Sequence, residues 1–472
     1  MNPRLIAVLT SLGLAGSLIA HDPAMTPVIL PMCTAVCMGA LFIVSLSAAG
    51  QVTPVADIGA WYVLIGTVYT VFPLAVFLII GGQYTPLNDN RLLALQPGPA
   101  TVGRIGWMYV VHVAAFAITY RMVRGRRVPR APVVRSVPKS TFTIAVVFWA
   151  IIAMVTLVSG LSMVSASSYV ESYSAAAALP LGLRQFLRLT HGMQFILTVT
   201  ILIGLFSRYE RRRWLISAWL AFQVFRSLLV VGERTGLVLS FSVCVILYHV
   251  MVRPIRARTA FSLAAVGLTA FLAYGVFRTF RTLNSPEDFA VGPSGGEFES
   301  MFGNAVDLDM KVAAGEIKDL PFSFYTSDIV AAIPSQVLPF DKVDLSDWYV
   351  SRFYPSAKER GAGFAFGVVA ESIIGFGWID LVARGAILGL LFAKLHGLFR
   401  RRGESLWVTV LYIWATVWCY QAFRGTSLML LPVFLQQFIP TVLLIECVRA
   451  VLAGAAPRRS NPAFERVSPT RA

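Results

Sequence analysis

The chain has 472 residues, 57% of them hydrophobic and only 14% charged, with a mean hydropathy of +0.70. Soluble domains carry about 25% charged residues, so the bilayer is the solvent this composition fits. The formal net charge of +16 does not call for nucleic acid, because Lys- and Arg-rich cytoplasmic loops of a membrane protein account for it.

Lipid offers no hydrogen-bond partners, so a spanning backbone must be helical or a closed barrel, and long unbroken apolar runs exclude the barrel. The predicted fold is all-α, a polytopic bundle of about twelve transmembrane helices with a large extracytoplasmic loop. Apolar windows of spanning length fall at 5–20, 27–48, 61–80, 105–120, 141–164, 186–206, 214–231, 236–252 and 261–277. Three more follow at 378–398, 406–423 and 428–452. Residues 1–277 are thus expected to hold nine helices, 278–362 the large loop with short surface helices, 363–456 the last three helices, and 457–472 a cytoplasmic tail. The first window lacks a good cleavage site for a signal peptide, and a first span is the better reading. The five cysteines (Cys33, Cys37, Cys244, Cys419, Cys447) lie in apolar stretches, which predicts neither disulfide nor zinc.

Basic clusters at 121–139, 208–213, 253–258, 400–402 and from 458 onward all fall on one side if the N-terminus is cytoplasmic. The positive-inside rule then puts both termini in the cytoplasm. Adding or deleting one helix would move a cluster to the wrong side, so the register is over-determined. No fixed-period repeat is visible, which speaks against transporters built from duplicated halves.

Several charges are left unexplained by this rule. Arg184, Arg188, Arg234, Arg278, Arg281, Arg352, Arg360 and Arg424 fall at or beyond the outer ends of spans. A guanidinium is a permanent, forked charge suited to phosphate, and a lipid pyrophosphate presents that target at this depth. For any single one of these residues, snorkelling or pairing with a loop acid such as Asp307, Asp319 or Asp344 is the plainer explanation; for the set, ligand contact is. In "LRQFLRLTHG", Arg184, Arg188 and His191 have the i, i+4, i+7 spacing of one helix face. Arg226 sits inside an apolar run, where an ionisable group is expensive, and Glu233 and Arg234 follow at the outer mouth. Glu371 stands in a glycine-rich apolar stretch: alone it would suit proton transfer, with an Arg partner it would lock helices. Asp307 and Asp309 form a "DLD" triplet of the kind that binds metal in nucleotide-sugar enzymes, a pattern that also arises often by chance. Phosphate-loop, dinucleotide and zincin patterns are missing from the sequence, so the energy for a reaction must come from an activated substrate.

The segment "GAGFAFGVVAESIIGFGWID", preceded by "PSQVLPF", resembles the Gly-x-Gly, Ala-Glu, Phe-Gly pattern of the Wzy-type O-antigen or oligosaccharide repeat-unit polymerases, here at Gly361, Gly363, Ala370, Glu371, Phe376 and Gly377. "GERTGL" and "FRGTSL" are also similar to family segments, while Ile373 and Gly375 depart from the pattern. The resemblance implies an integral glycosyltransferase of the bacterial inner membrane, without cofactor or metal. Its donor and acceptor would be undecaprenyl-pyrophosphate-linked glycans, with membrane lipids and a chain-length regulator as further partners. The implied site has Glu371 and His191 as candidate bases. Arg184, Arg188, Arg226, Glu233, Arg234, Arg278, Arg281, Arg352, Arg360 and Arg424 would bind pyrophosphate or glycan. An O-antigen ligase of similar architecture is the nearest rival, and a polysaccharide flippase a more distant one.

Overall fold

In the computed structural model the chain is helical, with no strand among the described residues. These are 3–48, 54–85, 89–124, 136–164, 181–229, 235–256, 296–318, 320–333, 342–359 and 364–455, with five further positions between 259 and 267. The first half contributes α1 (Pro3–His21), α2 (Thr26–Ala48), α3 (Ile58–Ile79), α4 (Pro99–Arg124), α5 (Lys139–Val164), α6 (Leu181–Phe206), α7 (Tyr209–Leu229) and α8 (Thr235–Leu247). Beyond it lie α9 (Glu297–Ala313), α10 (Phe322–Tyr325), α11 (Ser327–Ala331), α12 (Leu345–Phe353) and α13 (Pro355–Glu359). The last part holds α14 (Gly367–Ile374), α15 (Trp378–Arg402), α16 (Leu406–Trp418), α17 (Gln421–Arg424), α18 (Leu430–Val433) and α19 (Ile439–Ala455).

Seven helical stretches among the described residues are long and apolar enough to cross a membrane: 4–21, 23–46, 58–79, 99–124, 378–402, 406–424 and 430–454. The chain is a membrane protein on this evidence. The described residues alone do not show the expected twelve. Apolar helix at 139–155, 192–206 and 236–252 is shorter in its described part, and α7 opens on the charged run Glu210 to Arg213. The expected span at 261–277 lies almost wholly outside the described residues.

Helix packing in lipid relies on close backbone approach rather than on the hydrophobic effect. The most extensive pairing, α4 with α15, uses the spacing Gly385-x-x-x-Gly389. A Cβ on either glycine would come within 2.6 Å of a backbone oxygen of α4, that of His112 or Phe116. Aromatic rings fill the joint with α3, where Tyr62 stacks on Phe116 at 4.0 Å. The Tyr62 hydroxyl and His112 Nε2 are 2.7 Å apart, and His112 Nδ1 lies 3.1 Å from the Leu381 carbonyl, tying α3, α4 and α15 together.

At one end of this core Asp57 caps α3 by accepting from the Ala60 amide, pairs with Arg124 at 2.9 Å and accepts from the Tyr120 hydroxyl. The opposite end carries the segment between the two halves. Its described part does not lie loosely over the bundle. All residues of α9 from Phe298 to Asp309 are buried, against α3, α4 and α14. A second core of Leu308, Leu345, Tyr349, Val350, Phe364, Phe366 and Ala370 knits α9, α12 and α14 together.

Candidate functional site

The last apolar pair is interrupted. Between α16 and the π-helical turn Phe434–Phe438 the chain makes only α17 and α18, with non-helical backbone at 425–429. Polar backbone groups that leave a helix and are buried need partners elsewhere in the protein. Here Glu371 supplies one. Its Oε2 accepts from the Ser427 amide at 2.8 Å and from Arg384 Nη1 at 3.0 Å. Arg384 Nε also reaches Asp380 Oδ2 at 2.9 Å, one turn back on α15, and its Nη1 donates to the Ser427 hydroxyl. The Gly367 amide donates to the Gly425 carbonyl at 2.6 Å. Gly367 has φ +82°, and a Cβ there would come within 2.6 Å of the Phe423 carbonyl oxygen, so glycine is needed for this docking. The two segments singled out by sequence, around Glu371 and around Arg424, therefore meet. Of the two readings left open for Glu371, the structure supplies the Arg partner.

Arg424 closes the arrangement. Its Nε lies 3.7 Å from Glu297 Oε1 at the start of α9, and it also hydrogen-bonds Tyr420. The Tyr69 hydroxyl donates to the same Glu297 oxygen at 2.9 Å, and the Tyr69 ring stacks on Phe423. The Arg424 side chain is 37% exposed, against 14% for Arg384. Tyr69 lies ten residues short of the end of α3, roughly 15 Å at ~1.5 Å per residue, so this charged group meets α3 well before its end. Elements α3, α9, α14, α15 and α17 all contribute to it.

A second polar group lies further out. The Arg91 side chain is 4% exposed and grips Asp89 through two of its nitrogens, Nε to Oδ1 at 3.0 Å and Nη2 to Oδ2 at 2.5 Å. Its Nη1 donates to Asn304, and its guanidinium lies 4.6 Å from the Phe364 ring centroid. Asp307 Oδ2 accepts from the hydroxyls of Tyr349 at 2.5 Å and Tyr354 at 2.8 Å, while its other oxygen pairs with Lys311. Asp309 instead pairs with Arg104 of α4. The two carboxylates of the "DLD" triplet thus take different cations on different elements. Glu299 is also buried; its Oε2 has no hydrogen-bond partner, and burial, reinforced by the Asp89 carboxylate, pushes its pKa up to about 7.

Of the other expected site residues only Arg352 has a described side chain, and it lies apart from this group. Arg352 is exposed on α12 and donates to the Glu316 carbonyl at 3.0 Å. Arg184, Arg188 and His191 lie on helical backbone in the first turns of α6, and Arg226 on α7, but their side chains are outside the described residues. Glu233, Arg234, Arg278, Arg281 and Arg360 fall outside them altogether, as does "PSQVLPF". Sequence reasoning missed Arg384, Arg91, Asp89, Glu297 and Tyr69. A signal existed for Arg384: an arginine inside a predicted span carries the same energetic penalty that drew attention to Arg226. No family model matches the chain, and no curated protein or solved structure matches it.

Proposed function

We propose that the protein polymerises undecaprenyl-pyrophosphate-linked oligosaccharide repeat units into a surface polysaccharide, at the extracytoplasmic face of a bacterial inner membrane. The observation that carries this reading is the half-exposed Arg424, set between two apolar helical stretches and braced by Glu297 and Tyr420. A fixed guanidinium in such a place costs nothing in reorganisation when charge develops beside it. The similarity of the docked segments around Glu371 and Arg424 to repeat-unit polymerases supports the same reading.

In the reaction proposed, the hydroxyl at the non-reducing end of an incoming lipid-linked unit attacks the anomeric carbon of the growing chain. The bond from that carbon to the pyrophosphate oxygen breaks, undecaprenyl pyrophosphate leaves with the electron pair, and the hydroxyl proton passes to a base. Arg424 stabilises the leaving diphosphate. Arg184, Arg188, Arg226, Glu233, Arg234, Arg278, Arg281 and Arg360 remain candidates for further phosphate or glycan contacts. Glu371 positions the 424–427 turn and hence Arg424, and His191 is kept as the candidate base. A chain-length regulator is the expected protein partner.

The test is deletion of the gene followed by complementation, with the surface glycan resolved on a gel. Polymerisation predicts loss of the ladder with a single repeat unit retained, and Arg424→Ala reproducing that pattern at normal protein level. A full ladder from Arg424→Ala, or loss of every attached repeat unit on deletion, overturns it, the latter in favour of ligation or export. Reporter fusions that put residue 424 on the cytosolic side would do the same.

A further inference from the structure

A cleft of about 530 Å³ runs along the outside of the bundle between α1, α2 and α4, remote from the Glu371 and Arg424 group. Its walls are apolar, formed by residues such as Leu12, Leu30, Met38, Phe42 and Ala114. Its size falls within the roughly 300–1,000 Å³ of ligand sites. Along α4 it extends from Val110 to Arg121, roughly 16 Å at ~1.5 Å per residue. That is about half of the ~30 Å hydrocarbon core, the depth of one leaflet.

One end of the cleft is charged. Arg121 lines it there, exposed, with Nη1 donating to the Ser45 hydroxyl at 2.7 Å. Among the described residues no carboxylate pairs with it: the nearby Asp57 is taken by Arg124 and the Tyr120 hydroxyl. An apolar trough one leaflet deep, closed at its polar end by a guanidinium that no described carboxylate pairs, matches a single acyl chain in shape and its anionic headgroup in opposite charge. We infer that this cleft binds an anionic phospholipid of the surrounding bilayer, its acyl chain between α1, α2 and α4 and its phosphate on Arg121. Arg121 meets the phosphate as a charge-assisted donor, and the small Ala114 side chain leaves room for the chain.

The test uses the full-length protein in detergent with phosphatidylglycerol carrying a diazirine midway along one acyl chain, irradiated and mapped by peptide. Label is expected on cleft-facing residues of α1, α2 and α4, and unlabelled phosphatidylglycerol should displace it roughly fivefold better than phosphatidylcholine. Arg121→Gln, an exposed change, should lower labelling by a similar factor, and Ala114→Phe should block it by filling the trough. Equal competition by the two lipids, or undiminished labelling of Arg121→Gln, overturns the inference, since lipid would then contact this face without selection. Cross-linking of Cys37 between two copies, with no lipid label, would also overturn it by making the face a protein interface.

Discussion

Glu299→Gln tests how the long inter-half segment is buried. In the wild type the carboxyl sits on α9 with its Oε2 lacking a hydrogen-bond partner, and burial, helped by Asp89, raises its pKa from 4.5 to about 7. A carboxyl whose pKa is raised by folding is held preferentially in its protonated form. Its contribution to stability is therefore fully present below about pH 4.5 and is lost as pH rises through about 7. At ~1.4 kcal/mol per pH unit the difference between the two limits is roughly 3 kcal/mol. Glutamine keeps the shape and removes the titration, so the variant should match wild type near pH 4.5 and exceed it by up to about 3 kcal/mol at pH 8. Thermal unfolding of the purified protein in detergent from pH 4.5 to 8 measures this. Curves for wild type and variant that run parallel across the range would refute the reasoning, because they would mean that Glu299 is solvated or neutralised in the fold.

Arg91→Ala should cost about 3–5 kcal/mol, since Asp89 would be left as a buried charge without its principal cation; increased proteolysis of the 296–359 region would report it. For the Glu371–Arg384 pair, Glu371→Ala should destabilise by about 3 kcal/mol and abolish glycan polymer, whereas Glu371→Gln, which still accepts from the Ser427 amide, should lose less. A double-mutant cycle with Arg384→Met gives the coupling, and strictly additive losses would contradict the ion pair. Gly389→Val should prevent accumulation of folded protein, because even a Cβ would lie 2.6 Å from the Phe116 carbonyl oxygen; fluorescence of a C-terminal reporter fusion would reveal this, and normal levels would argue against the close α4–α15 contact.

Membrane residence and the all-helical class are fixed by composition, because an apolar run of twenty residues has few alternatives in lipid. Helix order along α1 to α4 and α15 to α19 follows from the same runs, and the windows at 27–48, 61–80 and 378–398 lie within a few residues of the helices observed. Glu371 was also legible, as a carboxylate where carboxylates are costly. Its partner was not. Arg384 is thirteen residues away and Ser427 fifty-six, and only helix packing decides which cation meets which anion.

Much of α9 reads locally as an ordinary amphipathic helix, with Glu299, Asn304, Asp307 and Asp309 as its polar positions. The tertiary structure buries those positions as well, against Asp89, Arg91, Tyr349 and Arg104, on elements far away in sequence. A surface helix was expected because hydropathy prices a charge as if it were alone, whereas a charge met by a counter-ion can be enclosed. The sequence by itself thus determined the solvent, the helical class and the places where charge is costly. Which charges neutralise one another depended on which helices pack together: Arg104 meets Asp309 and Arg424 meets Glu297 across more than a hundred positions, and Glu371 and Arg384, thirteen apart, meet only because α14 and α15 fold against each other.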